Sequence, residues 1–289
     1  AAFYHAAWRA VPRADVIFCH MIPRYAWLIA PVARLRGRRV VLWFTHRTAS
    51  AELRLTLMTV DRVLTAAPDS FPLHSDKVTV IGHGIDTTLF HPAAAPDEAV
   101  PPQIVVVARL SPSKYHRTLI GAAARLRERG KLPDAKFVIA GGPTAESPGY
   151  RAELEREVAQ HGLESRFEFI GGVPYSAVPD LYRRAAVAVN LSPPGHFDKA
   201  ALEAMLCGTP VIVANPAYTD LLGAHATALT IAGPDDAEGL ADRLASLLKA
   251  GPARRAQMGA ELRQATAAAH SLEGLMDRLV GALGEASRR

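Results

Sequence analysis

Cysteine is scarce in this chain, with two in 289 residues. Cys19 and Cys207 stand far apart and fit no Cys-x-x-Cys or Cys/His ligand spacing, which argues against a zinc site or a disulfide framework and fits a reducing cytoplasm. Long apolar runs are missing as well. The longest, "VVLWF" and "QIVVVA", have the length of buried strands and fall far short of the ~20 residues that cross a bilayer, so no membrane-spanning segment is expected. Lysine-rich tails and basic helices are also missing, which argues against nucleic acid as a partner. No Asp-x-Asp pair, Walker sequence, Gly-x-Ser-x-Gly elbow or Gly-x-Gly-x-x-Gly fingerprint is present. Their absence argues against a paired-carboxylate metal site, a P-loop, a serine-hydrolase nucleophile and an ordinary dinucleotide site. The opening "AAFYHAAWRA" carries neither an initiator Met nor a secretion leader, and is expected to be mid-protein sequence.

The remaining composition is that of a globular protein, with 49% apolar and 21% charged residues. The length suits two domains at roughly 100–200 residues each. A net charge of +5, carried more by Arg than by Lys, favours phosphate-bearing partners and is compatible with peripheral contact at the inner face of a membrane.

Short apolar runs alternate with segments of helical period throughout, the pattern of parallel sheets with crossover helices. "DVIFC", "RVVLWFT", "RVLTA" and "KVTVI" predict four strands before residue 92. The Pro- and Ala-crowded stretch "HPAAAPDEAVPPQ" follows, and an interdomain linker is expected over 93–103. "IVVVA", "KFVIA", "FEFIG", "VAVNL" and "PVIVA" then predict five more strands, enough for a doubly wound domain over 104–265. Residues 266–289 are expected to form a helix returning toward the first domain. Ligands of such folds lie beyond the carboxyl ends of the strands, so the loops there carry the candidates.

Arg109 and Lys114 share the loop after "IVVVA", where two cations could hold a diphosphate; a solvated basic loop has the same spacing. Gly141, Gly142 and Pro143 after "KFVIA" form a turn in which backbone could approach a ligand closely, or an ordinary turn. In "NLSPPGHFDKAALEAMLCGTPVI", Gly195 breaks the chain, Asp198 can cap a helix, and the helix N-terminus is a ready anion site. Glu203, about one turn in, could accept two hydrogen bonds from a ribose diol or pair with Lys199 at i,i+4. His20 and His46 each close a predicted strand, a position more often structural than functional.

These motifs resemble family 4 of the retaining glycosyltransferases, whose fold of two facing Rossmann-like domains is known as GT-B. The family's Gly-Arg-Leu, three residues, Lys is matched by Arg109, Leu110 and Lys114, with Ala108 in place of Gly. Its "LEAMACGTPVI" is nearly reproduced from Leu202 to Ile212, and its "NGVDxxxFxP" resembles "HGIDTTLFHP" from His83 to Pro92. The resemblance implies an α/β chain of two doubly wound domains with an incomplete N-terminal domain over 1–92. It implies a nucleotide-sugar donor, retention of anomeric configuration, and no metal or other cofactor. The acceptor, whether glycan, lipid-linked or small molecule, stays open. Residue by residue, it implies catalytic roles for His46, Arg109 and Lys114, and donor contacts from Arg109, Lys114, Gly142, Gly195, His196, Phe197, Asp198 and Glu203. The family's Glu, seven residues, Glu is not matched, because Gly195 stands eight before Glu203. A sugar-nucleotide epimerase or hydrolase of the same fold, and a non-catalytic binding fragment or accessory subunit, are the alternatives.

Overall fold

The structure, a computed structural model, describes residues 2–94 and 101–288. It divides into two compact units, residues 1–84 with 270–289, and residues 85–269. Each is an α/β domain built on a parallel sheet.

The first unit carries β1 (Val16–His20), β2 (Arg39–Trp43), β3 (Arg62–Thr65) and β4 (Val78–Val80), adjacent in chain order and all parallel. Side chains alternate across a strand, so successive residues of β2 feed opposite layers. Val40 and Leu42 join a core with Ala26, Ile29 and Ala30 of the helix Pro23–Leu35. Val41 and Trp43 join a second core with Ala282, Ala286, Leu275 and Leu279 of the helix Leu272–Arg288. The apolar period of that last helix is thus satisfied against the sheet of its own unit.

The second unit carries β5 (Gln103–Val107), β6 (Lys136–Ala140), β7 (Phe167–Gly171), β8 (Ala185–Asn190) and β9 (Val211–Val213) in the order β7-β6-β5-β8-β9, all parallel. Strands covered on both faces are apolar without alternation, as "IVVVA" shows. Ile104, Val105 and Val106 are all buried. The helices His116–Glu128 and Ala237–Lys249 pack together, and both contribute residues to the same core.

The division of the chain differs from the boundaries expected at 92 and 265. Ile85 and Phe90 are buried in the core of the second unit, and Arg183 donates hydrogen bonds to the carbonyls of Leu89 and His91. Arg263 likewise donates to the carbonyl of Phe90. Two buried side chains and two guanidiniums therefore bind residues 85–92 to the second unit, a tie that a Pro-rich composition does not disclose. Of the linker expected at 93–103, Gln103 already opens β5, and residues 95–100 lie outside the described residues.

Candidate functional site

In the second sheet the chain runs outward from β5 through β6 to β7, then returns to the other side of β5 for β8 and β9. The loops leaving β5 and β8 consequently part in opposite directions and open a crevice at their carboxyl ends. Both candidate-rich loops of the sequence start there.

The β5 loop is fixed by backbone bonds. Ala108 N–H donates to the Ala140 carbonyl, and Leu110 N–H to that of Gly142 at 2.8 Å. A Cβ on Gly141 would lie 1.8 Å from the Ala108 carbonyl oxygen, so only glycine lets the β5 and β6 loops approach this closely. Gly142, the expected ligand contact, has open space where a Cβ would stand. The close approach to backbone is made by its neighbour Gly141, and the space beside Gly142 stays open. Arg109 is exposed and makes no hydrogen bond or ion pair with any described residue. Beyond it, the tight turn Pro112–Lys114 leads into Tyr115 at φ 54°, a left-handed conformation unusual for a side-chain-bearing residue. This turn brings Lys114 across the crevice. Its Nζ donates to Ser192 Oγ at 3.2 Å and forms an ion pair with Asp198 Oδ2.

The β8 loop is equally constrained. Gly195 at φ 83° turns the chain, and His196 N–H closes the turn on the Pro193 carbonyl at 3.1 Å. Asn215, fully buried after β9, donates through Nδ2 to the carbonyls of Pro193 and His196 at 3.4 and 3.2 Å. Phe197 stacks on Tyr218 with ring centroids 4.6 Å apart, and the Tyr218 hydroxyl donates to the Asp198 carbonyl at 2.7 Å. Asp198 then caps the helix Lys199–Leu206, its side chain accepting from Ala200 N–H. Burial alone would raise the Asp198 carboxyl; the Lys114 ammonium and the hydrogen bonds from Lys114, Ser192 and Ala200 outweigh it and hold the group below its ordinary range.

Glu203 lies on the same helix and is buried. Desolvation raises its carboxyl above the usual range, opposed by a 3.0 Å hydrogen bond donated to Oε1 by the Tyr175 hydroxyl. No ion pair joins it to Lys199 among the described residues, so the i,i+4 alternative is not the one adopted. One hydrogen bond leaves this carboxylate with further acceptor capacity.

The structure thus brings together Lys114, Asp198 and Ser192, and sets Glu203 on the helix that Asp198 caps. Gly195, His196 and Phe197 form the wall beside them. His46 belongs to the other unit, on the loop after β2, where its Nδ1 accepts from Thr48 N–H at 3.1 Å. Sequence reasoning missed Tyr175, Ser192, Asn215 and Tyr218. Ser192 could have been found at a strand's carboxyl end and Asn215 from its Asn-Pro turn signal, whereas nothing local ties Tyr175 to a glutamate 28 residues away. A cavity of about 250 Å³ lined by Arg183, Thr209, Pro210 and Arg255 lies at the opposite, amino end of β8 and β9, away from this chemistry. Among the described residues no cluster of three or more His, Cys, Asp or Glu is placed to hold a metal, and no helix is long and apolar enough to cross a membrane.

Residues 91–265, more than half of the chain, match the family described as glycosyl transferases group 1. A D-inositol 3-phosphate glycosyltransferase of Catenulispora acidiphila is 31% identical over 192 residues, covering 63% of this chain and 45% of that protein. The corresponding enzyme of Kribbella flavida is 36% identical over 150 residues, 48% of this chain and 35% of its own length. The chain therefore spans about half or less of the curated relatives it matches. Among solved structures, Anabaena HepE in complex with UDP superposes with a TM-score of 0.82 at 18% identity, covering 98% of this chain and 82% of that one. Sucrose-phosphate synthase from Thermosynechococcus elongatus superposes with a TM-score of 0.72 at 23% identity, covering 94% and 74%. The two parallel-sheet domains share the GT-B fold of these glycosyltransferases, and with the β5 and β8 loops lying inside the matched region, the chain belongs to the group 1 glycosyl transferases.

Proposed function

We propose that the chain transfers a sugar from a nucleoside diphosphate sugar to an acceptor, with retention of anomeric configuration and without a metal. The observation that carries this reading is the placement of Lys114 at the N-terminus of the helix Lys199–Leu206, with Glu203 one turn inside it. A diphosphate seated there meets the Lys114 ammonium, the exposed guanidinium of Arg109 and the helix amides, and these charges stabilise it as the leaving group. Glu203, held by Tyr175, accepts from the ribose diol, and the turn at Gly195, His196 and Phe197 borders the sugar. For His46, on the loop after β2, the support is the family resemblance alone. Support comes from HepE, solved with UDP, and from the relative named D-inositol 3-phosphate glycosyltransferase.

A thermal-shift panel of uridine, guanosine and adenosine diphosphate sugars tests the donor assignment. A donor at a hundred times its Kd is expected to stabilise the protein by about 2.7 kcal/mol. Detection of a glycosylated acceptor supports transfer; free or isomerised sugar as the sole product would move the reading to a hydrolase or an epimerase. Turnover is expected to survive EDTA, because protein cations carry the leaving-group charge. Loss on chelation with recovery by magnesium or manganese would assign that charge to a metal.

Glu203→Gln keeps the size of the side chain and its helix propensity but replaces a carboxylate by an amide with a single acceptor end. Donor affinity is expected to fall by about 1–3 kcal/mol, while the melting temperature changes little. A 2′-deoxyribose donor should bind the parent protein poorly and lose much less in the variant, since both changes remove one contact. Calorimetry showing the two penalties to be independent would take Glu203 off the ribose.

A further inference from the structure

The Lys114 ammonium, placed to receive a donor phosphate, already has an anionic partner. Asp198 Oδ2 accepts from both Lys114 Nζ and Ser192 Oγ, the latter at 2.9 Å, while Oδ1 accepts from Ala200 N–H at 3.3 Å. One carboxylate therefore collects a lysine, a hydroxyl and a helix amide, the three kinds of donor that ordinarily converge on a phosphate oxygen. Neither member is on open surface, with 22% of the Lys114 side chain and 23% of the Asp198 side chain exposed, so the pair is screened less than a solvated one. The carboxylate cannot drift away. Its backbone carbonyl is held by the Tyr218 hydroxyl, and the preceding turn is held by Asn215.

We infer that Asp198 is a built-in competitor for the diphosphate, an internal anion that occupies Lys114 in the unliganded protein and must surrender it when the donor binds. The inference rests on the proposed donor site and concerns how tightly that site holds its ligand. In this reading Asp198, which the family resemblance implied as a donor contact, acts instead through its charge, on Lys114 and on the phosphates. Its negative charge beside the phosphates weakens ground-state and product binding alike, which limits trapping of the enzyme by the nucleoside diphosphate it releases.

The test is Asp198→Asn, which retains a good helix cap and removes the charge. Uridine, guanosine and adenosine diphosphates and inorganic pyrophosphate are each titrated into parent and variant by calorimetry, with melting temperatures recorded to show that both are folded. Asp198→Ser, also a good cap, serves as the second variant. The expected result is a Kd at least about tenfold lower for the best-bound diphosphate and for pyrophosphate in both variants, the change expected on removing one like charge from a partly buried site. In turnover, KM for the donor should fall, and kcat should fall with it as product release slows. A repacked loop would not produce that paired change. Unchanged or weaker binding in both variants overturns the inference and makes Asp198 an anchor that positions Lys114. If the parent binds no nucleoside diphosphate but the variants bind pyrophosphate, the internal anion stands and the nucleotide-sugar reading falls. If neither parent nor variant binds any of these anions, the inference fails, since unmasking Lys114 has uncovered no anion seat.

Discussion

Lys114→Ala is expected to weaken binding of the preferred nucleoside diphosphate by roughly ten- to a hundredfold, the loss of one charge-assisted contact of about 1.5–3 kcal/mol. Arg109→Ala removes a cation of the same sign and should sit at the low end of that range. Arg109 is exposed and unpaired with described residues, so its removal leaves no group stranded. Lys114→Ala does leave one stranded, because Asp198 keeps its charge with only Ser192 and Ala200 as partners of its side chain among the described residues. Its effect should therefore exceed that of Arg109→Ala, and adding Asp198→Asn should restore part of the lost affinity. Calorimetry on the two single variants and the double variant checks the order. Equal affinity in parent, Arg109→Ala and Lys114→Ala would remove the β5 loop from the site.

Gly141→Ala is expected to be the most destabilising single methyl addition at the site. The added carbon would stand 1.8 Å from the Ala108 carbonyl oxygen and 2.6 Å from its carbon, both rigid backbone at the end of β5. The loops must separate, breaking the bonds from Ala108 and Leu110 to the β6 loop, and Arg109 moves with them. Overpacking of this kind costs about 3 kcal/mol, which for a unit of this size lowers Tm by roughly 6–12 °C. Gly142→Ala, one residue on, enters open space and should shift stability by no more than about 0.5 kcal/mol. Thermal unfolding of the two variants side by side decides the point, and similar Tm values would show that the β5 and β6 loops part easily.

The strands were legible because a buried parallel strand is almost wholly apolar. "IVVVA", "KFVIA" and "VAVNL" needed no context to be recognised, and each lies within or overlaps a strand of the structure. The cap at Asp198 was equally local, since Asp before a helical run has one common use. Two kinds of feature were not legible. Asn215 and Tyr218 support the turn at Gly195 from the far side of β9, and Tyr175 reaches Glu203 from the loop after β7. Such contacts depend on which strands become neighbours, information that no periodicity carries. The domain boundary failed for a related reason. Proline and alanine mark a lack of regular structure, but whether Phe90 finds a pocket depends on residues nearly a hundred positions later.

That pocket has a practical meaning for anyone wishing to shorten the protein. A chain cut to begin at Gln103, where the first strand of the second unit opens, would remove Phe90 from the ring of Tyr175, whose centroid lies 5.3 Å away in an edge-on contact. Arg183 and Arg263 would lose carbonyl acceptors at the same time. Arg183 would keep Asp180 and Arg263 the Leu206 carbonyl, but the uncovered oily socket invites self-association. The loss would also reach Glu203, since the Tyr175 hydroxyl donates to its carboxylate. The natural place to cut is before Ile85, well ahead of any secondary structure that would have suggested it.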